Sequence, residues 1–281
     1  MWEHIYVEEL DDIEKIQNYE VCIVGAWVPP YNLLVPRLKP RVWWLITSPL
    51  LQMELGGVEW PFLHQILSND KVEKVWFGDK GLEKVFPEKG IHLPYPVHLE
   101  TFLNYPRPLC ETKKDIGLFT ALSNPQKNIM VQLAAIKLVQ NETTVELHVN
   151  GLPPLYRSFA DKIGLKYVDH GWLQPQDYLS LLSKLRVQTH VFLSESFSYA
   201  TLESMMLGTP CIVSPCVSRI IDAGIVVSSV DEPSEIAECV LDLLSMHAED
   251  YRVCCETQRK RALQLAEENN YLIRVTLKKY L

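Results

Sequence analysis

Two carboxylates eight positions apart, Glu195 and Glu203, stand within the run Ser194-Glu195-Ser196-Phe197-Ser198-Tyr199-Ala200-Thr201-Leu202-Glu203-Ser204-Met205-Met206-Leu207-Gly208-Thr209-Pro210. Helix formers fill 199–207 and Gly208 supplies a stop, so a helix is predicted to open near Ser198. The apolar residues Val191, Phe192 and Leu193 read as the buried end of a strand before it, and 211–213 as a strand after it. A helix that starts at the mouth of a parallel sheet offers unpaired amides and the positive end of its dipole, which suits a phosphate. Two acceptor side chains beside such a site suit a ligand that joins phosphate to hydroxyls, as a sugar nucleotide does. Taken singly, Glu195 could serve only as a helix cap and Glu203 only as a surface carboxylate. Their combination with Gly208-Thr209-Pro210 and the upstream loops is what points to a site.

The elements that must position them alternate regularly. Residues 115–119 read as a short strand and Ser123-Asn124-Pro125-Gln126-Lys127-Asn128 as a loop. Residues 129–139 then form a helix with an apolar stripe from Met130, Leu133, Ala134 and Leu138. A strand over 145–149 turns at Gly151, and Val168-Asp169 leads to His170-Gly171-Trp172. Residues 177–185 are predicted helical. Strands alternating with helices predict a parallel sheet whose ligand lies outside the carboxyl ends of the strands, where all these loops fall.

The run from Ser194 to Pro210 resembles the Glu-x7-Glu motif of retaining GT-B glycosyltransferases, the family-4-like group also called glycosyl transferases group 1. The resemblance rests on Ser194, Glu195, Phe197, Leu202, Glu203, Met205, Gly208, Thr209 and Pro210, and continues from residue 115 to about 244. Ser196 and Ser198 stand where the family has glycines; a serine hydroxyl there is expected to be able to add a phosphate contact. Lys127 matches the family's phosphate lysine. Ala121 and Leu122 occupy the region where a partner arginine is usual, leaving Lys113, Lys114 and Arg219 as unassigned cations.

Several expectations follow from that resemblance. The fold is α/β, of the GT-B type, with two Rossmann-like parallel-sheet domains facing a cleft, the N-terminal one small. The activity is transfer of a hexose or pentose from a UDP- or GDP-sugar to a hydroxyl acceptor, with retention and without metal or cofactor. Glu195 would hold sugar hydroxyls and, with Lys127, act catalytically. Glu203 would accept the ribose diol. Phe197, Ser198, Tyr199, Ala200 and Thr201 at the helix start, Gly151, and the backbone of His170 and Gly171 would bind the donor. Other readings are a noncatalytic nucleotide-sugar-binding subunit and a GT-B sugar-nucleotide epimerase. A nicotinamide site lacks its G-x-G-x-x-G turn, since Val24-Gly25-Ala26-Trp27-Val28-Pro29 does not supply it.

Residues 21–27, 42–46 and 72–77 read as strands of the amino-terminal part, with helices over 60–67 and 81–86. Pro94, Pro96, Pro106 and Pro108 mark a linker. The expected division is therefore 1–107 as a small acceptor-side domain, 108–265 as the nucleotide-sugar domain, and 266–281 as a helix returning to the first. Gly25 with Pro29 and Pro30 is a poor substitute for the family's amino-terminal glycine-rich loop. The carboxyl end reads as a polar helix over 248–268, then Asn269-Asn270, then 271–281.

Composition sets wider bounds. A chain of 281 residues can bury a substantial core. A formal charge of -8 argues against nucleic acid as partner. No apolar run approaches the roughly 20 residues of a membrane span, and the start resembles no signal peptide. Seven cysteines without a secretion signal are expected to be mostly buried, reduced thiols, including Cys22, Cys211, Cys239 and Cys254. Cys211 and Cys216 lack a second ligand pair for zinc. The expectation is a cytoplasmic protein acting on a glycan, lipid-linked or protein-linked acceptor, with peripheral membrane contact left open. His64 and the Trp43-Trp44 pair read as packing residues.

Overall fold

The computed structural model describes residues 10–25, 35–46, 59–78, 80–103, 105, 114–120 and 124–280. Ala26, Trp27, Pro29, Pro30, Pro106, Pro108, Lys113, Ala121, Leu122 and Ser123 lie outside the described residues. The chain falls into two compact units: 1–95 with 275–281, and 96–274.

In the first unit, strands β1 (Val21–Val24), β2 (Arg41–Ile46), β3 (Val72–Phe77) and β4 (Gly90–His92) form a parallel sheet in the order β1-β2-β3-β4. Successive side chains of a strand leave on opposite faces, so Trp43 and Trp44 report on both. Both are fully buried. Trp44 meets Phe62 of α1 (Glu59–Ser68) edge to face at 5.6 Å, and Trp43 meets Tyr280 at 5.3 Å. Covering both faces explains the apolar runs 42–46 of β2 and 75–77 of β3. A short helix, α2 (Leu82–Val85), and the strand β4 follow β3. Beyond β4 the Tyr95 hydroxyl donates to the Ile46 carbonyl at 2.8 Å, and the Trp76 indole donates to the Leu93 carbonyl at 2.7 Å.

The second unit opens with α3 (Leu99–Leu103) and holds six parallel strands: β5 (Ile116–Leu118), β6 (Leu147–Val149), β7 (Tyr167–Asp169), β8 (Val187–His190), β9 (Cys211–Val213) and β10 (Ile225–Val226). Their order is β10-β9-β8-β5-β6-β7. The helices between them are α4 (Ile129–Glu142), α5 (Pro154–Lys162), α6 (Pro175–Leu182), α7 (Tyr199–Met206), α8 (Pro215–Ile221) and α9 (Pro233–Ser245). Four of them start on a proline, whose fixed φ and missing N–H suit a first helical turn. That start places α6 two residues earlier than expected. From β5 the chain winds outward through β6 and β7, then returns to place β8 on the other side of β5. This doubly wound order leaves a switch point between β5 and β8, where the loops leaving the two strands part.

Two expectations need correction. Val191-Phe192-Leu193 is not strand: the ladder ends at His190. The Val191 amide donates instead to the Gln132 side chain at 3.1 Å, and the Leu193 amide to the Gln126 carbonyl at 2.8 Å. The carboxyl end is one uninterrupted helix, α10 (Ala248–Tyr280). Asn269 and Asn270 do not break it, because Asn269 is buried and Asn270 spends its side chain on both backbone groups of Val97, at 3.0 and 2.8 Å. An asparagine so engaged does not compete for its own backbone. The described cysteines are free thiols; burial pushes the Cys211 thiol up to about 12. Among the described residues no helix is long and apolar enough to cross a membrane.

Candidate functional site

The loops leaving β5 and β8 are tied together at the switch point. After β5 the chain makes a single 3-10 turn, Pro125–Lys127, capped by Asn124, whose side chain accepts from the Gln126 amide at 3.4 Å. Asn128 then takes a left-handed conformation (φ 53°) to start α4, and its side chain donates to the Val230 carbonyl at 2.5 Å. Gln132, fully buried, donates to the Lys127 carbonyl at 2.8 Å and accepts from Val191. One side chain thus braces both loops.

This bracing brings Lys127 and Glu195 together as an ion pair, their side chains only 10% and 8% exposed. The ammonium also lies 4.3 Å from the centre of the Phe192 ring, a cation–π contact. The Glu195 carboxylate accepts from the Ser196 amide at 3.2 Å. Cys216 stands close by: burial raises its pKa, Glu195 pushes the same way, and Arg219 opposes. Arg219, one of the unassigned cations, lies on the last turn of α8.

The start of α7 is held from beneath. His190, buried at the end of β8, bonds through Nε2 to the Phe119 carbonyl at 3.1 Å and through Nδ1 to the Thr201 hydroxyl. Burial above all, with the nearby Lys127 charge, lowers its pKa to about 3, so the ring is neutral. A carbonyl only accepts, which puts the ring proton on Nε2 and makes Nδ1 an acceptor. Thr201 therefore donates to His190, and its oxygen accepts from Ser198, whose hydroxyl lies 2.6 Å away. Ser198 is buried and its proton is committed. The phosphate contact expected of its hydroxyl is not what this arrangement offers. Phe197 packs on the Tyr199 ring at 4.8 Å, and the Tyr199 hydroxyl donates to the Pro96 carbonyl at 2.9 Å.

Glu203 sits one turn further along α7, with partners of its own. It is largely buried, and burial raises its pKa, opposed by a hydrogen bond from Tyr178 of α6. Tyr178 did not stand out in the sequence, since an aromatic on an amphipathic helix reads as packing. Its ring meets Phe119 at 5.9 Å, Phe119 faces His170 at 6.4 Å, and His170 stacks on His148 at 5.2 Å. An aromatic row thus runs from Glu203 toward the loop after β7. The two imidazoles share a hydrogen bond of 2.9 Å, Nδ1 of His148 to Nε2 of His170.

Gly151 (φ 83°) and Gly171 (φ 60°) are joined by a residue that belongs to no motif. Asp169, the last residue of β7, accepts from the Gly151 and Gly171 amides on one oxygen, at 2.7 and 3.0 Å. Its other oxygen takes the Leu152 amide at 2.9 Å and Arg157 at 3.1 Å. Burial would raise its pKa, but the amides of Gly171, Leu152 and Gly151 and the Arg157 charge outweigh it, holding the carboxyl below its ordinary value. Among the described residues no cluster of three His, Cys, Asp or Glu side chains could hold a metal ion.

Every candidate residue therefore lies on the loops after β5, β6, β7 and β8 or on the first two turns of α7. Lys127 and Glu195 meet directly, Ser198 and Thr201 meet over His190, and Gly151 meets Gly171 through Asp169. Glu203 is reached through Tyr178.

Residues 113–246 match the family described as glycosyl transferases group 1. No curated protein matches the sequence. Among solved structures, the chain is similar to the trehalose-6-phosphate synthase OtsA, with a TM-score of 0.72 at 10% identity, covering 95% of this chain and 73% of that one. A structure from E. coli bound with UDP-2-fluoro glucose gives 0.68 at 10% identity, over 95% and 74% of the chains. The UDP-forming trehalose-phosphate synthase of Burkholderia xenovorans gives 0.65 at 11%, over 92% and 72%. The resemblance read from the sequence is borne out, and the fold is the GT-B fold.

Proposed function

From a GT-B chain whose residues 113–246 match the group 1 glycosyltransferases, we propose a metal-independent glycosyltransferase that moves a hexose or pentose from a nucleoside diphosphate-sugar to a hydroxyl acceptor with retention. The observation that carries this reading is the meeting of Lys127 and Glu195 at the switch point, beside the amino end of α7. A cation and helix amides suit a diphosphate; a carboxylate within reach suits sugar hydroxyls.

In this reading the ribose diol donates to Glu203, which Tyr178 holds in place. The bond from the anomeric carbon to the diphosphate oxygen lengthens, and negative charge grows on the leaving group. Lys127 and the amides of Tyr199, Ala200 and Thr201 stabilise that charge more in the transition state than in the ground state, which lowers the barrier. Glu195 orients the sugar hydroxyls and sits near the positive charge developing at the anomeric carbon. The acceptor oxygen bonds to that carbon on the face the phosphate leaves, and its proton passes to the departing phosphate oxygen. Donors with uracil or guanine, acceptors on glycans, lipids or proteins, and a cytoplasmic setting with peripheral membrane contact belong to the same reading.

The test is nucleoside diphosphate release from a panel of UDP-, GDP-, ADP- and TDP-sugars with EDTA present, with Glu203→Ala beside the wild type. Release from one donor, lost in the variant, supports the transferase. Nucleotide binding without release from any donor, acceptors included, would move the reading to a nucleotide-sugar-binding subunit.

A further inference from the structure

Lys127 is asked to bind a diphosphate, yet its charge is already taken by Glu195. We infer that this ion pair is a charge latch: it lets the site hold an intact sugar donor and disfavours the spent nucleoside diphosphate. The inference rests on the proposed donor site.

The geometry sets up a competition. Both side chains are almost wholly out of solvent, so neither charge can fall back on water if the other leaves. Apart from Lys127, Glu195 holds the amide of Ser196 at 3.2 Å. When a diphosphate draws Lys127 away, a buried carboxylate keeps, among the described residues, the neutral hydrogen bond from Ser196 and gains a new anion nearby. That is unfavourable both by desolvation and by like-charge repulsion. A sugar attached to the diphosphate changes the balance, because its hydroxyls donate to the carboxylate that the lysine vacated. After transfer the sugar is gone, Glu195 recaptures Lys127, and the diphosphate loses its cation. The latch therefore favours substrate entry and product release with the same pair of residues.

The sign of its prediction is unusual for a residue in a binding site. Glu195→Gln should tighten binding of the diphosphate group while reducing transfer. Calorimetry with inorganic pyrophosphate, and with UDP and GDP, would compare wild type, Glu195→Gln, Lys127→Gln and the double variant. The latch requires Glu195→Gln to bind pyrophosphate about tenfold more tightly than wild type. It also requires that gain to vanish in the double variant, since the freed ammonium is its source. Equal or weaker binding by Glu195→Gln would overturn it, as would absence of pyrophosphate binding in all four proteins. If Glu195→Gln loses its cooperative melt, Glu195→Asp carries the test: its shorter carboxylate should give a smaller gain of the same sign. The two readings fail separately. A pyrophosphate gain with no donor turned over by the wild type keeps the latch and removes the transferase; donor turnover without the gain does the reverse.

Discussion

The phenol of Tyr178 and the carboxylate of Glu203 form a hydrogen bond between neighbouring helices, and it holds down the pKa that burial raises on Glu203. Removing the hydroxyl in Tyr178→Phe leaves that carboxylate short of a donor, so its pKa climbs further. A carboxyl raised above its unfolded value opposes folding above that value, and the penalty fades as the pH falls. Tyr178→Phe should therefore cost about 1–3 kcal/mol, more at pH 8 than at pH 5, in denaturant titrations. Nucleotide affinity should fall severalfold, and the fall should be larger on the acid side, where the variant's Glu203 takes up its proton first. A pH-independent loss would contradict the role given to the hydroxyl.

His190 gives an acid limb of stability. Its pKa falls from an ordinary 6.5 to about 3 in the fold, mainly through burial. A base whose folded pKa is depressed stabilises fully above the unfolded value, and that stability drains away as the pH drops toward the folded one. Unfolding free energy should thus decline between about pH 6.5 and 3, by several kcal/mol in order of magnitude. The variant His190→Gln, which offers a neutral amide to Phe119 and Thr201, should start less stable at pH 7 and show a shallower decline. Identical slopes for the two proteins would remove His190 as the source.

Asp169 is the tie between two glycine turns. Asp169→Ala frees the amides of Gly151, Leu152 and Gly171 together, and should cost about 2–3 kcal/mol in thermal or denaturant melts. Asp169→Asn keeps acceptor oxygen toward part of this set and should lose less. Because the wild-type carboxyl is held below its ordinary value, its contribution is present at neutral pH and lost only as the pH falls through that lowered value. Hydrogen exchange should show the turn at Gly171 opening before the sheet in the alanine variant.

Gly78 has no room for a side chain. A Cβ there would come within 2.1–2.2 Å of the Tyr95 ring, which is buried and anchored to Ile46. Gly78→Ala should destabilise the first unit by about 1–3 kcal/mol. Adding Tyr95→Leu should recover part of that loss; failure to recover any would place the cost elsewhere.

The parts of the site that the sequence displays are those with local spacing. Glu195, Glu203 and the stop at Gly208 lie within one short run, and the α7 boundaries follow from helix formers and glycine alone. Val191, Phe192 and Leu193 read as the end of β8 because they are apolar. Only tertiary bonds to Gln132 and Gln126 pull them out of the ladder. Tyr178, His190 and Asp169 carry no mark of their roles in the sequence for a related reason. Each acts through a partner on a different element, and no residue type or interval marks such a pairing in advance. The helix at the carboxyl end reads as divided because asparagine disfavours helix interiors, a preference Asn270 loses by bonding to Val97.

The neighbouring places of β5 and β8 also carry a consequence for the order of folding. Ile116 pairs with Val187 across the whole of β6, β7 and their helices, so this contact is a long-range one within the second unit. Long-range pairings of this kind pay loop-closure entropy before they are rewarded. Lys127 and Glu195, 68 positions apart, cannot meet sooner than the strands that carry them. The anion site should accordingly be among the last features to mature: in stopped-flow refolding, pyrophosphate binding should return no earlier than the slowest phase of secondary-structure recovery. Binding that preceded that phase would mean the two loops find each other without the sheet.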